Sequence, residues 1–105
     1  MDEYVCITVL SRPGEAQADF ASRLSQFWTH LLRSRKPDFE KVYAETTQFE
    51  ESASQWSRQY LAEISVAELL ETELASANLA YEPIDRDERF SKYEAVPPEW
   101  MQIEH

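Results

Sequence analysis

The sequence predicts an α+β fold in the order β-α-β-β-α-β, the ferredoxin-like sandwich, followed by a C-terminal tail. Three observations predict it. The chain opens with a β-branched alternation, Val5, Ile7 and Val9 set between Tyr4, Cys6, Thr8 and Leu10, which suits a pleated surface. Two apolar series at helical spacing follow, one from Glu15 to Leu31 and one from Val66 to Ala77, as amphipathic helices require. Between them, residues 38–64 carry two short faces of period two around a polar segment.

The elements follow in order. The first strand covers residues 4–10, and its two faces are both fairly apolar, as in an interior strand. Ser11, Arg12, Pro13 and Gly14 break it, and the first helix is expected over residues 14–35 on the stripe Phe20, Leu24, Phe27, Trp28 and Leu31. Glu15 and Asp19 lie early in it, Arg33, Arg35 and Lys36 late, as the helix dipole prefers. Pro37 is expected to stop it. A second helix is marked by Ser65-Val-Ala-Glu68, the pattern of a capping box, with Val66, Leu69, Leu70, Leu74 and Ala77 as its buried stripe. Asn78 is the expected left-handed terminator, and residues 79–84 form a last strand at a sheet edge, where Pro83 is tolerated.

The interval 38–64 admits two readings. At period 3.5, Phe39, Val42, Thr46, Phe49, Ala53, Trp56 and Tyr60 make a helical seam, and a mostly helical fold with a long helix at 38–64 is the alternative. At period two, Val42, Ala44 and Thr46 make one strand face and Trp56, Tyr60, Ala62 and Ile64 another. Backbone accounting favours the strands, because the strand at 4–10 needs neighbours for its N–H and C=O groups.

A chain of 105 residues predicts one domain, here 4–84, with residues 85–105 as a tail. That tail carries Phe90, Tyr93, Val96, Trp100, Met101 and Ile103, enough apolar surface to dock in cis or on a partner. The strand, the Pro13-Gly14 turn, the helix and the order over 4–84 resemble the dimeric α+β barrel proteins, among them cofactor-independent monooxygenases and small isomerases. The resemblance is architectural and implies a homodimer packed through helix-free sheet faces. The outer face of the first strand, Tyr4, Cys6, Thr8 and Leu10, suits such cover.

Charge bears on function directly. The formal net charge is -10, which repels nucleic-acid phosphate and anionic lipid. Residues 1–37 hold five basic and four acidic groups, residues 38–105 five basic and sixteen acidic groups, so the acidic field belongs to the later segments. No apolar run is long enough to span a bilayer, and MDEYVCITVL lacks the basic start of a secretory signal. The one cysteine, Cys6, permits no internal disulfide and suits a reducing, cytoplasmic compartment. It reads as a small buried hydrophobe rather than a nucleophile.

Cofactor motifs are missing from the pattern. Gly14 is the only glycine, which excludes glycine-rich phosphate loops. His30 has Gln26, Phe27, Arg33 and Ser34 at helical spacing, none of them a ligand to complete a zinc site. Asp85-Arg-Asp87-Glu88 lacks the turn glycine and distal glutamate of a calcium loop. No metal or cofactor is expected. Two functions remain: a small non-catalytic module or regulator that offers its acidic surface to a basic protein, or a cofactor-independent enzyme on a small aromatic substrate. In the second, Trp28, Trp56 and Tyr60 would hold the substrate and His30 would move a proton.

Overall fold

The computed structural model describes residues 3–39, 41–88, 90–91 and 101–102. It is an α+β fold, an antiparallel sheet with two helices. The strands are β1 (Glu3–Leu10), β2 (Tyr43–Ala44), β3 (Gln48–Glu50), β4 (Gln55–Glu63), β5 (Ala80–Glu82), β6 (Phe90–Ser91) and β7 (Met101–Gln102). The helices are α1 (Gln17–Phe39) and α2 (Ile64–Ser76). The sheet runs β5-β1-β4-β2-β7, with β3 beside β4 and β6 beside β1.

The backbone groups of β1 find their partners in β4 on one side, in the register Tyr4↔Glu63 to Leu10↔Ser57, and in β5 on the other. Residues 43–63 therefore hold strands, Ile64 opens α2 rather than ending a strand, and the long helix at 38–64 is absent. The first of the two strands is interrupted: β2 pairs β4 at Tyr43↔Leu61, the Glu45 N–H still reaches Gln59 O at 3.1 Å, residues 46–47 leave the ladder, and β3 rejoins it at Gln48↔Ser57. Thr46 is exposed for that reason. Tight turning after β3 is made by a single 3-10 turn at Glu51–Ala53 and by Ser54 in the left-handed region, φ 51°.

Alternation divides the sheet. Val5, Ile7 and Val9 of β1, Ala44 of β2 and Tyr60 and Ala62 of β4 join Phe20, Leu24, Phe27, Trp28, Leu31 and Leu32 of α1 and Ala67, Leu70 and Leu74 of α2 in one core. Both helices thus cover the same face. Each large aliphatic or aromatic side chain buried there contributes about 1.5–3 kcal/mol.

Three local expectations need correction. Helix α1 does not stop at Pro37; it kinks at Arg35 (φ -140°, ψ 36°) and resumes to Phe39. Proline lacks an N–H and fits the first turn of the resumed segment, where that donor has no helical partner. Arg35, freed at the kink, binds Asp38 at 3.1 Å and Glu73 of α2 at 3.0 Å, so it ties the two helices together rather than serving a helix dipole. The capping box is also absent. Strand β4 passes straight into α2 with Glu63 as its N-cap and no side-chain cap, which leaves Ser65 exposed inside the first turn. The buried stripe shifts with it to Ala67, Leu70 and Leu74, and Ala77 is exposed.

The other end of α2 meets expectation. Asn78 has φ 58°, its N–H reaches Ala75 O, and the Leu79 N–H reaches Leu74 O, the bonding of a Schellman close with Leu79 and Leu74 both in the core. Asn78→Ala is expected to cost about 1 kcal/mol, because a Cβ without asparagine's local hydrogen bonding resists the left-handed region. Ser65→Ala should change stability by no more than a few tenths. Urea unfolding of both variants checks the pair, and a larger loss at Ser65 would contradict the boundary.

Of the tail, β6 pairs β1 at Tyr4↔Phe90 and β7 pairs β2 at Ala44↔Met101, on opposite sides of the sheet. Residues 92–100 and 103–105 lie outside the described residues.

Candidate functional site

The aromatic residues expected around a substrate are placed in two groups. Trp28 and Tyr60 are buried and bonded to each other: Trp28 Nε1 donates to Tyr60 Oη at 3.0 Å, with ring centroids 5.2 Å apart. Burial pushes the Tyr60 phenol above its ordinary range. Phe27 and Phe39 pack edge-on against Trp28, which fills the space a flat ligand would need. Trp56 is half-buried two pleat repeats from Tyr60 along β4, against Phe49 at 4.8 Å. His30 is exposed on α1 and its carbonyl accepts from Ser34 Oγ. The structure does not bring His30 together with Trp28, Trp56 and Tyr60.

Two open depressions are lined by described residues. One is lined by Arg12, Pro13, Gly14, Glu15, Asp19, Ser22 and Arg23. It is built by the β1–α1 turn, in which Gly14 takes φ 78° and donates its N–H to Ser54 O. A Cβ on Gly14 would meet nothing within 4 Å, so the constraint there is the backbone angle alone. Glu15 accepts the Arg12 N–H and a two-point contact from Arg23, at 2.6 and 2.8 Å. These bonds hold the Glu15 carboxyl down to about 2. Both groups satisfy each other, so the contact is structural. The second depression, lined by Glu68, Glu71, Thr72, Ala75, Ser76 and Tyr81, holds Glu71, whose carboxylate accepts the Ile84 N–H.

A pH test follows from Glu15. A carboxylate held below its ordinary value of 4.5 stabilises the fold above that value, and the stabilisation fades as pH falls from there toward 2. Glu15→Gln should lower Tm by about 5 °C at pH 7, and the gap to wild type should close across that window. A gap independent of pH would contradict the pairing.

The helix-free face of the sheet is the remaining candidate. It presents Tyr4, Cys6, Thr8 and Leu10 from β1, Ser57, Gln59, Leu61 and Glu63 from β4, Tyr43 from β2, and Ala80 and Glu82 from β5, as their registers require. Tyr4 and Leu61 are 2% exposed, and Tyr4 meets Tyr43 edge-on at 6.1 Å. The rest of the face is partly or fully exposed. Burial first, and then the charges of Glu88, Glu45 and Glu82, push the Cys6 thiol up to about 11. A thiol in that field is a poor nucleophile near neutral pH. Carboxylates therefore converge on this face from Glu45 just after β2, from β5 and from the segment after β5, with Glu63 beside Tyr4. Among the described residues, none of Glu45, Glu63, Glu82 and Glu88 is in an ion pair, whereas Glu15, Asp38, Glu68 and Glu73 are.

The sequence assigns this charge to the later segments but not to a face. The alternation that puts Tyr4, Cys6, Thr8 and Leu10 on one face is visible, but the acidic neighbours come from β4, β5 and the segments after β2 and β5, at separations no local pattern reveals. The Asp85–Glu88 segment is a turn, in which the Asp85 carboxylate accepts the N–H groups of Asp87 and Glu88. Among the described residues no group of His, Cys, Asp and Glu could hold a metal ion, and no helix is long and apolar enough to cross a membrane. Comparison with protein-family models, curated proteins and solved structures found no match to this chain.

Proposed function

We propose that the chain is a small acidic, non-catalytic interaction module whose helix-free sheet face receives a basic protein surface. The observation that carries it is the set Glu45, Glu63, Glu82 and Glu88, carboxylates gathered around one sheet face and in no ion pair among the described residues. Opposed charge speeds encounter and selects partners. The same carboxylates disfavour the homodimer, since a two-fold contact through this face would set like charges against each other. A single thiol suits a reducing, cytoplasmic setting.

We also read the domain as ferredoxin-like, with β2 and β3 as two halves of one interrupted strand. The neighbour order β5-β1-β4-β2, antiparallel throughout, supports that reading. The barrel-enzyme alternative gains no support from His30, which is exposed and apart from the buried Trp28–Tyr60 pair.

Calorimetric titration with a lysine-rich peptide tests the module. Binding should be measurable at low salt and fall steeply as salt rises, because the Debye length shrinks to about 3 Å at 1 M. A glutamate-rich peptide should not bind. Absence of lysine-peptide binding, or binding indifferent to salt, would contradict the reading.

A further inference from the structure

We propose that the outer edge of β3, centred on Phe49, is a strand-addition site for a basic extended peptide. The proposal rests on the acidic-module reading and gives it a contact geometry. Its first support is the backbone. In the antiparallel pair of β3 and β4, Phe49 stands opposite Trp56. The Trp56 N–H donates to Ser11 Oγ at 2.8 Å and its C=O accepts the Ser11 N–H at 2.8 Å. Both groups of Trp56 therefore point toward β1. In an antiparallel ladder, residues opposite each other either exchange both bonds or neither, so Phe49 exchanges none with Trp56. Its own N–H and C=O point outward, away from β4, and among the described residues no strand pairs that side.

The side chain adds a second, independent support. Phe49 is 47% exposed, the one exposed large hydrophobic residue among those described. Its ring lies 4.8 Å from that of the half-buried Trp56, so the two form an aromatic step at which an added strand can rest a side chain. Strand addition uses this combination, main-chain bonds for affinity and a pocket for alternate side chains. The same side of the sheet already accepts a strand one step along, since β7 pairs β2 at Tyr43↔Gln102 and Ala44↔Met101.

Charge selects the occupant. Phe49 is followed by Glu50 and Glu51, both exposed and without an ion pair among the described residues. A second copy would bring its own acidic edge, whereas a peptide alternating Lys with apolar residues would place cations near Glu50 and Glu51 and an apolar side chain on Phe49.

The test uses the full chain and a short peptide alternating Lys with Val, followed by titration and by tryptophan fluorescence. A fully N-methylated counterpart keeps the charges but cannot donate backbone bonds. Phe49→Ala and N-methylation should each weaken binding about tenfold or more, while Phe49→Ala leaves the protein folded with only a modest drop in Tm, because the ring is half exposed. If the peptide binds with salt dependence but neither change matters, the β3 site is overturned and the acidic module stands. If the peptide does not bind at all, both fall. Self-association in sedimentation that Phe49→Ala abolishes would also overturn the proposal, by giving the edge to a second copy.

Discussion

Trp28→Ala is expected to lower unfolding stability by about 3–5 kcal/mol, a large share of the roughly 5–15 kcal/mol a domain of this size possesses. The reasoning is local. Trp28 is 7% exposed and sits where α1 crosses β4, touching Phe27, Phe39 and Tyr60. Removing the indole leaves a cavity that three aromatic rings cannot close, and it strips the Tyr60 hydroxyl of its donor. Tyr60→Phe should cost less, about 1–3 kcal/mol, chiefly because the Trp28 N–H is then buried without an acceptor. Urea unfolding of the two variants measures both. A cost below 1 kcal/mol for Trp28→Ala would mean that the indole occupies an open pocket rather than the core, and would restore the case for an aromatic ligand site.

The second large effect is on binding. Reversing Glu45, Glu63 and Glu82 to Lys together should weaken lysine-peptide affinity about a hundredfold or more at low salt, counting about tenfold for each 1.4 kcal/mol lost. Most of the loss should appear in the association rate, where long-range attraction acts. Glu68→Lys places a reversal on the outer side of α2, where Glu68 is exposed and 3.6 Å from Arg86. Its effect should be several-fold smaller than that of Glu63→Lys or Glu82→Lys alone. Equal effects at these positions would mean that total charge, not this face, governs binding.

The parts of the fold that local periodicity controls were readable in the sequence. The alternation of Val5, Ile7 and Val9 located β1 and its buried face, and the α1 stripe located the core aromatics. The hairpin within 38–64 required a different argument, the need of β1 for pairing partners, because Val42, Thr46, Trp56 and Tyr60 satisfy both periods. What escaped were features set by junctions. Ser65 looks like an N-cap until β4 is seen to run into α2 without a loop. Pro37 looks like a terminator until the kink at Arg35 moves it into a first turn. For the site, the sequence named Trp28, Trp56, Tyr60 and His30, but helix rotation buries Trp28 and turns His30 to solvent. The acidic face joins carboxylates from two strands and two connecting segments, and the outward backbone of Phe49 depends on which β4 groups are claimed by Ser11. Neither is encoded in any single segment.

The central claim is that a basic partner meets the acidic sheet face and its β3 edge. Amide chemical-shift mapping with the lysine-rich peptide tests it most directly. The account predicts shifts concentrated at Cys6, Thr8, Gln59 and Glu82 on the helix-free face and at Phe49 and Glu50 on β3, fading as salt is added. Shifts confined to the outer surfaces of α1 and α2, or spread evenly over the chain, would contradict it.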